Sequence, residues 1–285
     1  MEKYIIEGGR PLFGEVEIQS AKNAVLPLLA AAVLTEERVV IHKCPRIADV
    51  LNMVGILGEL GCNTKFDGND LVIDSADAAN HEIPSSLAKE LRSSVFMLGS
   101  VVSRFGRARI AYPGGCDIGL RPIDLHLNGL RRLGVCVSEG GGYIDCSCGK
   151  IEGAEVVLDF PSVGATENII LAAAKAKGTT LIRNAAKEPE IVDLQNFINR
   201  MGGKIRGAGT ATVRIDGVRK LSGTEYTPVS DRIEAGTFLI ASAMCGGEIA
   251  IKNADADNIS SLLHKLREIS CKISTKDDKI YIRSG

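Results

Sequence analysis

The hydrophobic and polar positions follow one pattern four times along the chain. Each time, an Ala- and Leu-rich helix precedes a short strand of β-branched residues and a second, amphipathic helix. The second helix ends at Leu60-Gly61, Leu133-Gly134, Met201-Gly202 and Ile269-Ser270, and alternating strands follow it. Glycine tolerates the positive φ that is common after a helix C-terminus, and period-two alternation indicates strands with one buried face. The pattern therefore predicts an α/β repeat protein.

The strands after the first helices set the period of the repeat. They begin at Glu37, Gly106, Gly178 and Gly247, roughly 70 residues apart, and a fixed period is the signature of a repeat architecture. A unit of two helices and a small sheet cannot bury its helices alone, so we expect three units to share one helical core. The fourth unit, after a crossover at 228–232, would begin a second domain. That domain needs two more units to match the first, so the sequence looks C-terminally truncated.

Composition limits the classes of partner. The 285 residues are 45% hydrophobic and carry a formal net charge of -1, so no global field recruits nucleic acid or an anionic membrane. The start of the chain has no apolar run typical of a signal peptide, and the longest apolar run, 25–34, is far shorter than the roughly 20 residues of a membrane span. We therefore expect a soluble, cytoplasmic protein.

The cysteine and histidine spacings do not fit a metal or redox site. The eight cysteines include no C-x-x-C pair and the four histidines no H-E-x-x-H motif, so we expect no metal and no cofactor. Cys116 lies in a glycine-rich stretch, where a thiol can approach a ligand. The remaining cysteines are predicted to be reduced packing residues, since free cysteine is commonly buried. They are Cys44, Cys62, Cys136, Cys146, Cys148, Cys245 and Cys271.

Two clusters of chemistry-bearing residues precede predicted helices. In 19–24, Lys22 and Asn23 stand at a helix N-terminus, where free N–H groups favour anions. The alternative is that Ser20 or Asn23 is a capping residue and Lys22 a solvated charge. In 160–168, Ser162 and its neighbours offer hydroxyls and backbone amides to a phosphate or a uracil edge. Capping alone explains much of this second cluster.

The other candidates lie in a loop and at element ends. The stretch 112–126 places Cys116 among glycines and prolines, and a cation such as Arg121 would favour its thiolate. The alternative is a turn with an incidental cysteine. Arg92, Glu190 and Arg232 occupy element ends, where a polar residue is more often a surface ion pair or a cap than a ligand.

Taken in order, these segments resemble the UDP-N-acetylglucosamine 1-carboxyvinyltransferases, and the resemblance covers the whole chain. The segments that carry it are SAKNA (20–24), LRSSVFMLG (91–99), PGGCDIGLRPIDLH (113–126), FPSVGATEN (160–168), EPEIVDL (188–194) and DRIEAGTF (231–238).

The resemblance implies a fold of two inside-out α/β barrel domains of the enolpyruvyl transferase type. Each domain of that fold has three βαβαββ units, so four of six would be present here. Residues 22–229 would form the complete domain with the Cys loop. Residues 1–21 and 230–285 would form an incomplete second domain, whose exposed apolar helix faces would favour self-association.

The resemblance also implies the reaction and the roles of the candidates. The enolpyruvyl group of phosphoenolpyruvate would move to the 3-hydroxyl of UDP-N-acetylglucosamine with release of phosphate, the first committed step of peptidoglycan synthesis. Cys116 would protonate the methylene carbon, and fosfomycin would alkylate it. Lys22, Arg92 and Arg121 would neutralise phosphate and carboxylate, and Asn23 would bond the sugar. The UDP site would comprise Arg121, Pro122, Asp124, Leu125, Ser162, Val163 and Gly164, while Glu190 and Arg232 would match cleft positions.

Two departures from the family pattern qualify this picture. Phe160 stands where many members have lysine. The aspartate that accepts the sugar hydroxyl proton and a late arginine that binds the carboxylate have no counterpart in the chain. We therefore expect weak UDP-sugar binding and little turnover, since general acid–base catalysis alone contributes about 10²–10⁴-fold.

Two other functions are compatible with part of the pattern. The shikimate-pathway enolpyruvyl transferase shares the architecture and the early lysine, but it lacks the PGGC loop at 113–116. A non-catalytic protein that binds UDP-sugar would explain a shortened chain. A purely structural repeat domain would leave the clustered Lys22, Arg92 and Cys116 unexplained.

Overall fold

The computed structural model describes residues 3–5, 7–114 and 122–285. The chain folds as two compact units, which are considered separately. The larger unit is Lys22–Pro228, and the smaller combines the N-terminal strand with Val229–Gly285.

The helices of the described residues alternate with short strands. The helices are α1 (Lys22–Ala32), α2 (Ala48–Glu59), α3 (Ser85–Glu90), α4 (Met97–Phe105), α5 (Asp124–Arg132), α6 (Val163–Ala173), α7 (Pro189–Arg200), α8 (Arg232–Cys245) and α9 (Ser260–Glu268), with 3-10 turns at Arg92–Phe96 and Asp257–Ile259. The strands are β1 (Leu12–Glu17), β2 (Val39–Ile41), β3 (Asn63–Asp67), β4 (Asp70–Asp74), β5 (Glu82–Ile83), β6 (Arg107–Ala111), β7 (Cys136–Gly140), β8 (Tyr143–Ser147), β9 (Glu155–Val157), β10 (Thr179–Arg183), β11 (Ile205–Arg206), β12 (Thr212–Asp216), β13 (Thr224–Tyr226), β14 (Gly247–Lys252), β15 (Lys272–Lys276) and β16 (Lys279–Ser284).

Across the described residues the strands form four small sheets of one design. Their orders are β13-β2-β4-β3, β5-β6-β8-β7, β11-β12-β10-β9 and β1-β14-β16-β15. In each sheet one parallel pair joins an antiparallel hairpin, as where β13 pairs with β2 in parallel and β4 pairs with β2 antiparallel. Because β13 is the last strand of the larger unit and β2 its first, this pairing closes that unit.

The predicted repeat is confirmed by the strand and helix positions. Strands β2, β6, β10 and β14 begin at Val39, Arg107, Thr179 and Gly247, again roughly 70 residues apart. The second helices α2, α5, α7 and α9 each end one residue before the predicted last helical residue, and the second residue after each helix has positive φ. In the fourth repeat that residue is Ser270, with φ 71°, where the others have glycine.

The second repeat differs from the predicted single first helix. Its helical segment is divided into α3, the 3-10 turn and α4. The division falls at Leu91, whose extended conformation (φ -130°, ψ 114°) interrupts the helical hydrogen bonds.

The core of the larger unit is made by the first helices of its repeats. Residues 24–32 of α1 and 165–173 of α6 are buried on every side, and α4 is buried from Met97 to Val102. Helix α4 packs closely on α6, and α1 contacts both. A helix that is apolar all round needs neighbours on all its faces, so the helices lie inside and the sheets outside.

Gly99 allows α4 and α6 to approach each other. A Cβ at Gly99 would lie 2.5 Å from Asn168 Oδ1 and closer still to the Asn168 carbonyl oxygen. The Gly99 backbone N–H also donates to Asn168 Oδ1 at 2.8 Å. Glycine is therefore required at position 99 because the α4 backbone lies so close to Asn168 of α6, and not because of a positive φ.

In the smaller unit, α8 has the place in its repeat that α1, α4 and α6 have in theirs. It buries Ala235, Gly236, Leu239 and Ser242, while Ile233, Ile240 and Met244 are exposed along one side. The self-association expected from such a face stays a prediction.

The cysteine prediction is correct for some residues and wrong for others. Cys44, Cys62, Cys146 and Cys271 are buried, and burial raises the pKa of the Cys44 and Cys146 thiols to about 12. Cys148 is partly buried, whereas Cys136, the first residue of β7, and Cys245, the last residue of α8, are exposed. No described helix has the length and hydropathy needed to cross a membrane. The described residues also include no cluster of three metal-ligating side chains.

We predict that Gly99→Ala destabilises the protein by about 3 kcal/mol, because overpacking a core costs about 1–3 kcal/mol and the Gly99–Asn168 hydrogen bond is lost as well. Gly58→Ala is the matched control: this glycine also lies in a helix, but a Cβ there meets no atom within 4 Å. It should stabilise by up to about 1 kcal/mol. Urea denaturation measures both, and equal effects of the two substitutions would contradict the close-packing argument.

Candidate active site

The candidate residues within the described part of the chain share one position in the fold. Each lies in the first turn of a helix or directly before it, where backbone N–H groups lack intrahelical acceptors and the helix dipole favours negative charge. They are Lys22 and Asn23 at α1, Arg92 at the first 3-10 turn, Pro122, Asp124 and Leu125 at α5, Ser162, Val163 and Gly164 at α6, Glu190 at α7, and Arg232 at α8 in the smaller unit. Cys116 and Arg121 lie outside the described residues.

One cavity of the larger unit brings three of these candidates together. It has a volume of about 330 Å³ and is bordered by Arg92, Pro122 and Asp124. Arg92 belongs to the 3-10 turn of the second repeat, and Pro122 and Asp124 belong to the start of its second helix, so the fold of one repeat brings them together. The rest of its lining consists of Tyr112, Pro113, Ile123, Leu127, Arg131 and Glu139.

A hydrogen-bonded chain of side chains forms one wall of this cavity. The Tyr112 hydroxyl donates to Glu139 Oε2 at 2.5 Å, and Arg131 donates to Glu139 Oε1 at 3.0 Å and to Asn128 at 3.0 Å. The hydrogen bond from Tyr112, followed by that from Arg131, lowers the pKa of the Glu139 carboxyl. Glu139 therefore offsets the positive charge of Arg131 beside Arg92.

A second cavity lies on the other side of α5. It has a volume of about 380 Å³ and is lined by Leu125, Arg131 and Arg132 of α5 and by residues 156–159. These residues lead from β9 towards the start of α6. The exposed ring of Phe160 follows them directly. Two arginines beside apolar surface suit an anion that carries a flat apolar group.

Lys22 pairs with an acidic residue that sequence reasoning missed. Its ammonium lies 2.8 Å from Asp49 Oδ2, and Asp49 is in the first turn of α2. Both side chains are more than a third exposed, so the pair is screened by solvent and serves orientation more than stability. Asn23 is exposed beside it, and Pro27 has no N–H to donate to the Asn23 carbonyl.

The start of α6 is fixed by Thr166 rather than by Ser162. Ser162 has an extended backbone, and within the described part of the chain its side chain makes no capping hydrogen bond. The Thr166 hydroxyl donates to the Ser162 carbonyl at 2.8 Å and accepts from the Ala186 N–H at 3.1 Å. Within the described residues Ser162 therefore does not cap α6 through its side chain, and Thr166 anchors this turn.

A buried carboxyl pair lies between α6 and α7. Glu167 is 1% exposed and Glu190 3% exposed. Glu167 Oε1 finds no hydrogen-bond partner among the described residues. Burial, followed by the charges of Glu190 and Glu188, raises the pKa of Glu167 well above its ordinary value. The sequence did contain a signal, because Thr166, Glu167 and Asn168 interrupt an otherwise apolar helix.

Comparison with known proteins identifies the family. The sequence profile described as EPSP synthase (3-phosphoshikimate 1-carboxyvinyltransferase) matches residues 6–285. UDP-N-acetylglucosamine 1-carboxyvinyltransferase 2 of Caldanaerobacter subterraneus subsp. tengcongensis is 53% identical over 282 residues, which are 99% of this chain and 68% of the relative. The chain belongs to the UDP-N-acetylglucosamine 1-carboxyvinyltransferase family. A further member, UDP-N-acetylglucosamine 1-carboxyvinyltransferase 1 of Halalkalibacterium halodurans, is 45% identical over 99% of this chain and 64% of its own length.

Solved structures show the fold of this family. The enolpyruvyl transferase NikO from Streptomyces tendae superposes with a TM-score of 0.85 at 22% identity, over 98% of this chain and 67% of that chain. EPSP synthase from Acinetobacter baumannii superposes with a TM-score of 0.76 at 16% identity, over 97% and 66%. The inside-out α/β fold is therefore confirmed. The chain spans about two thirds of the length of these relatives.

We predict that Glu167→Gln stabilises the protein increasingly as pH rises above about 4.5. Burial raises the folded-state pKa of Glu167 above its unfolded value. The free energy of unfolding is then unaffected by Glu167 ionisation below the unfolded pKa, and it falls by about 1 kcal/mol per pH unit as pH rises towards the folded pKa. Glutamine has no proton to lose.

Urea denaturation of both proteins from pH 4.5 to 8 checks this prediction. Glu152→Gln is the control, since Glu152 is an exposed glutamate of the same unit, and it should change stability by less than about 0.5 kcal/mol at every pH. A difference between Glu167→Gln and the wild type that does not change with pH would contradict a protonated, buried Glu167.

Proposed function

We propose that this chain serves the transfer of the enolpyruvyl group from phosphoenolpyruvate to the 3-hydroxyl of UDP-N-acetylglucosamine, with release of phosphate. The observation that carries the proposal is the placement of Lys22, Arg92 and Ser162–Gly164 at helix N-termini of one unit. Phosphoenolpyruvate and the diphosphate of the sugar nucleotide are both anions, and helix N-termini with cationic side chains are suited to bind them. The family of the chain supports the same substrates.

In the proposed reaction the sugar 3-oxygen adds to C2 of phosphoenolpyruvate while C3 receives a proton. The hydroxyl proton goes to a general base, and Cys116 donates the proton to C3. The bond between C2 and the phosphate oxygen then breaks, C3 loses a proton, and the double bond re-forms. The products are the enolpyruvyl sugar nucleotide and phosphate. Fixed cations at Lys22, Arg92 and Arg121 would stabilise the charges of the tetrahedral intermediate.

The sugar nucleotide would bind across the starts of α1, α5 and α6. We assign the uridine to Pro122, Asp124 and Leu125, the diphosphate to the first turn of α6, and the sugar to Asn23. The cavity that joins Arg92, Pro122 and Asp124 supports this arrangement. Glu190 and Arg232 remain further candidates for substrate contact. The proposal also places the protein in the cytoplasm and its product in peptidoglycan synthesis, as the family resemblance implies.

Phosphate release by the purified chain tests the proposal. We predict release that requires both phosphoenolpyruvate and UDP-N-acetylglucosamine. The rate is expected to fall by about 10²-fold or more in Cys116→Ser because the proton donor is removed. Cys136→Ser, which removes an exposed thiol of the same unit, should leave the rate unchanged.

Other outcomes separate the competing functions. UDP-N-acetylglucosamine binding without any release would indicate a protein that binds UDP-sugar and does not catalyse the reaction. Release that depends on shikimate 3-phosphate instead of UDP-N-acetylglucosamine would indicate the shikimate-pathway reaction. Either outcome would overturn the proposed activity.

A further inference from the structure

A buried chain of hydrogen bonds runs from α4 through α6 to α5. The Gly99 N–H donates to Asn168 Oδ1 at 2.8 Å, and Asn168 Nδ2 lies 3.2 Å from His126 Nδ1. Asn168 is fully buried, and His126 is 7% exposed. The three residues come from three different helices of the larger unit.

The Gly99 backbone N–H determines where the protons lie in this series of hydrogen bonds. Because a backbone N–H can only donate, the atom of Asn168 that faces Gly99 must be the amide oxygen. The atom that faces His126 is then the amide nitrogen, which donates, so His126 Nδ1 must accept. A neutral imidazole carries its proton on the nitrogen that does not accept, so the proton of His126 is on Nε2.

The surroundings of His126 keep its ring neutral. Burial, followed by the nearby Arg92 charge, lowers the pKa of His126 to about 4. The Phe96 ring stacks at a centroid distance of 6.5 Å and an interplanar angle of 19°. At neutral pH the ring therefore carries one proton, and its position is determined by Asn168.

The Nε2 atom lies at the start of α6. It is 3.3 Å from the position that a Cβ on Gly164 would occupy, and the His126 Cε1 atom is 3.0 Å from the same point. Gly164 is the second residue of α6, so the ring edge lies against the first turn of that helix. Among the residues that the structure describes, no hydrogen-bond partner of Nε2 is present. A donor with a fixed proton is thus placed at a helix N-terminus.

We propose that the Nε2–H of His126 binds an anionic oxygen of a diphosphate at the first turn of α6, and that Asn168 is the positioning residue that holds the proton on Nε2. The identity of this diphosphate, that of UDP-N-acetylglucosamine, rests on the proposed function. The free N–H groups of the α6 first turn supply further donors to the same anion. A neutral donor adds directional recognition there without adding a second cation beside Arg92.

Long-range ¹H–¹⁵N NMR of the chain with ¹⁵N-labelled histidine tests the tautomer and the contact directly. The chain has four histidines, His42, His81, His126 and His264, so the His126 signals can be identified by their loss in His126→Asn. We expect the pattern of an Nε2–H tautomer that does not titrate between pH 6 and 8. Addition of UDP should move the Nε2 resonance more than the Nδ1 resonance.

Calorimetric binding of UDP to variants tests the energetic role. His126→Asn keeps a polar group near the Nδ1 position but has none at Nε2, and it should weaken UDP binding about tenfold to a hundredfold, the effect of losing one hydrogen bond to a charged group. His126→Gln places an amide nitrogen near the Nε2 position and should restore binding to within about threefold of the wild type. His81→Asn, a partly buried histidine of the same unit, is the matched control and should bind UDP as the wild type does.

Inorganic pyrophosphate separates this inference from the proposed function. If UDP does not bind but pyrophosphate moves the His126 Nε2 resonance, the anion contact stands and the nucleotide assignment fails. If UDP binds equally well to the wild type and to His126→Asn, or if neither UDP nor pyrophosphate moves the Nε2 resonance, the inference is overturned. A proton found on Nδ1 of His126 would overturn the role of Asn168, and His126→Gln gives the same assignment if His126→Asn does not fold.

Discussion

The structure depends on the burial of its first helices along their whole length. Helices α1 and α6 are buried on every side over residues 24–32 and 165–173, and in the larger unit each is enclosed by the other first helices and by the second helices. A helix enclosed in this way can present only its ends to solvent. The sheets are left on the outside, where ion pairs such as Arg183–Glu155 cover their faces. For these enclosed helices, ligand chemistry is therefore expected at the helix termini.

The carbonyl end and the amino end of these buried helices differ in their hydrogen-bond partners. At the carbonyl end of α1, Arg104 donates to the Val33 carbonyl at 2.8 Å and to the Thr35 carbonyl at 2.6 Å, so the protein itself satisfies that end. At the amino ends the side chains are Lys22, Asn23 and Ser162, and Ser162 does not cap its helix within the described residues. Within the described residues, the Ser162 side chain thus leaves the first N–H groups of α6 available to an anionic ligand.

The repeat could be predicted from the sequence because each unit repeats the same local signals. Positive φ after α2, α5 and α7 falls on the predicted glycines, and the strand starts keep their spacing. Contacts between separate elements could not be predicted. The Lys22–Asp49 pair, the Gly99–Asn168 contact and the His126 ring beside Gly164 each join segments that are distant in sequence. The exposure of Cys136 was missed for a related reason, because which side of a short edge strand faces solvent depends on how the sheet packs.

Hydrogen–deuterium exchange of the whole chain with and without UDP-N-acetylglucosamine tests the central claim most directly. The claim is that ligand binds at the amino ends of buried helices. The account predicts slower exchange in the first turns of α1, α5 and α6 and no change in the outer strands β8 and β12, because ligand contact protects only the groups that it covers. Protection confined to the sheet faces, or no protection of the α6 first turn at saturating ligand, would contradict it.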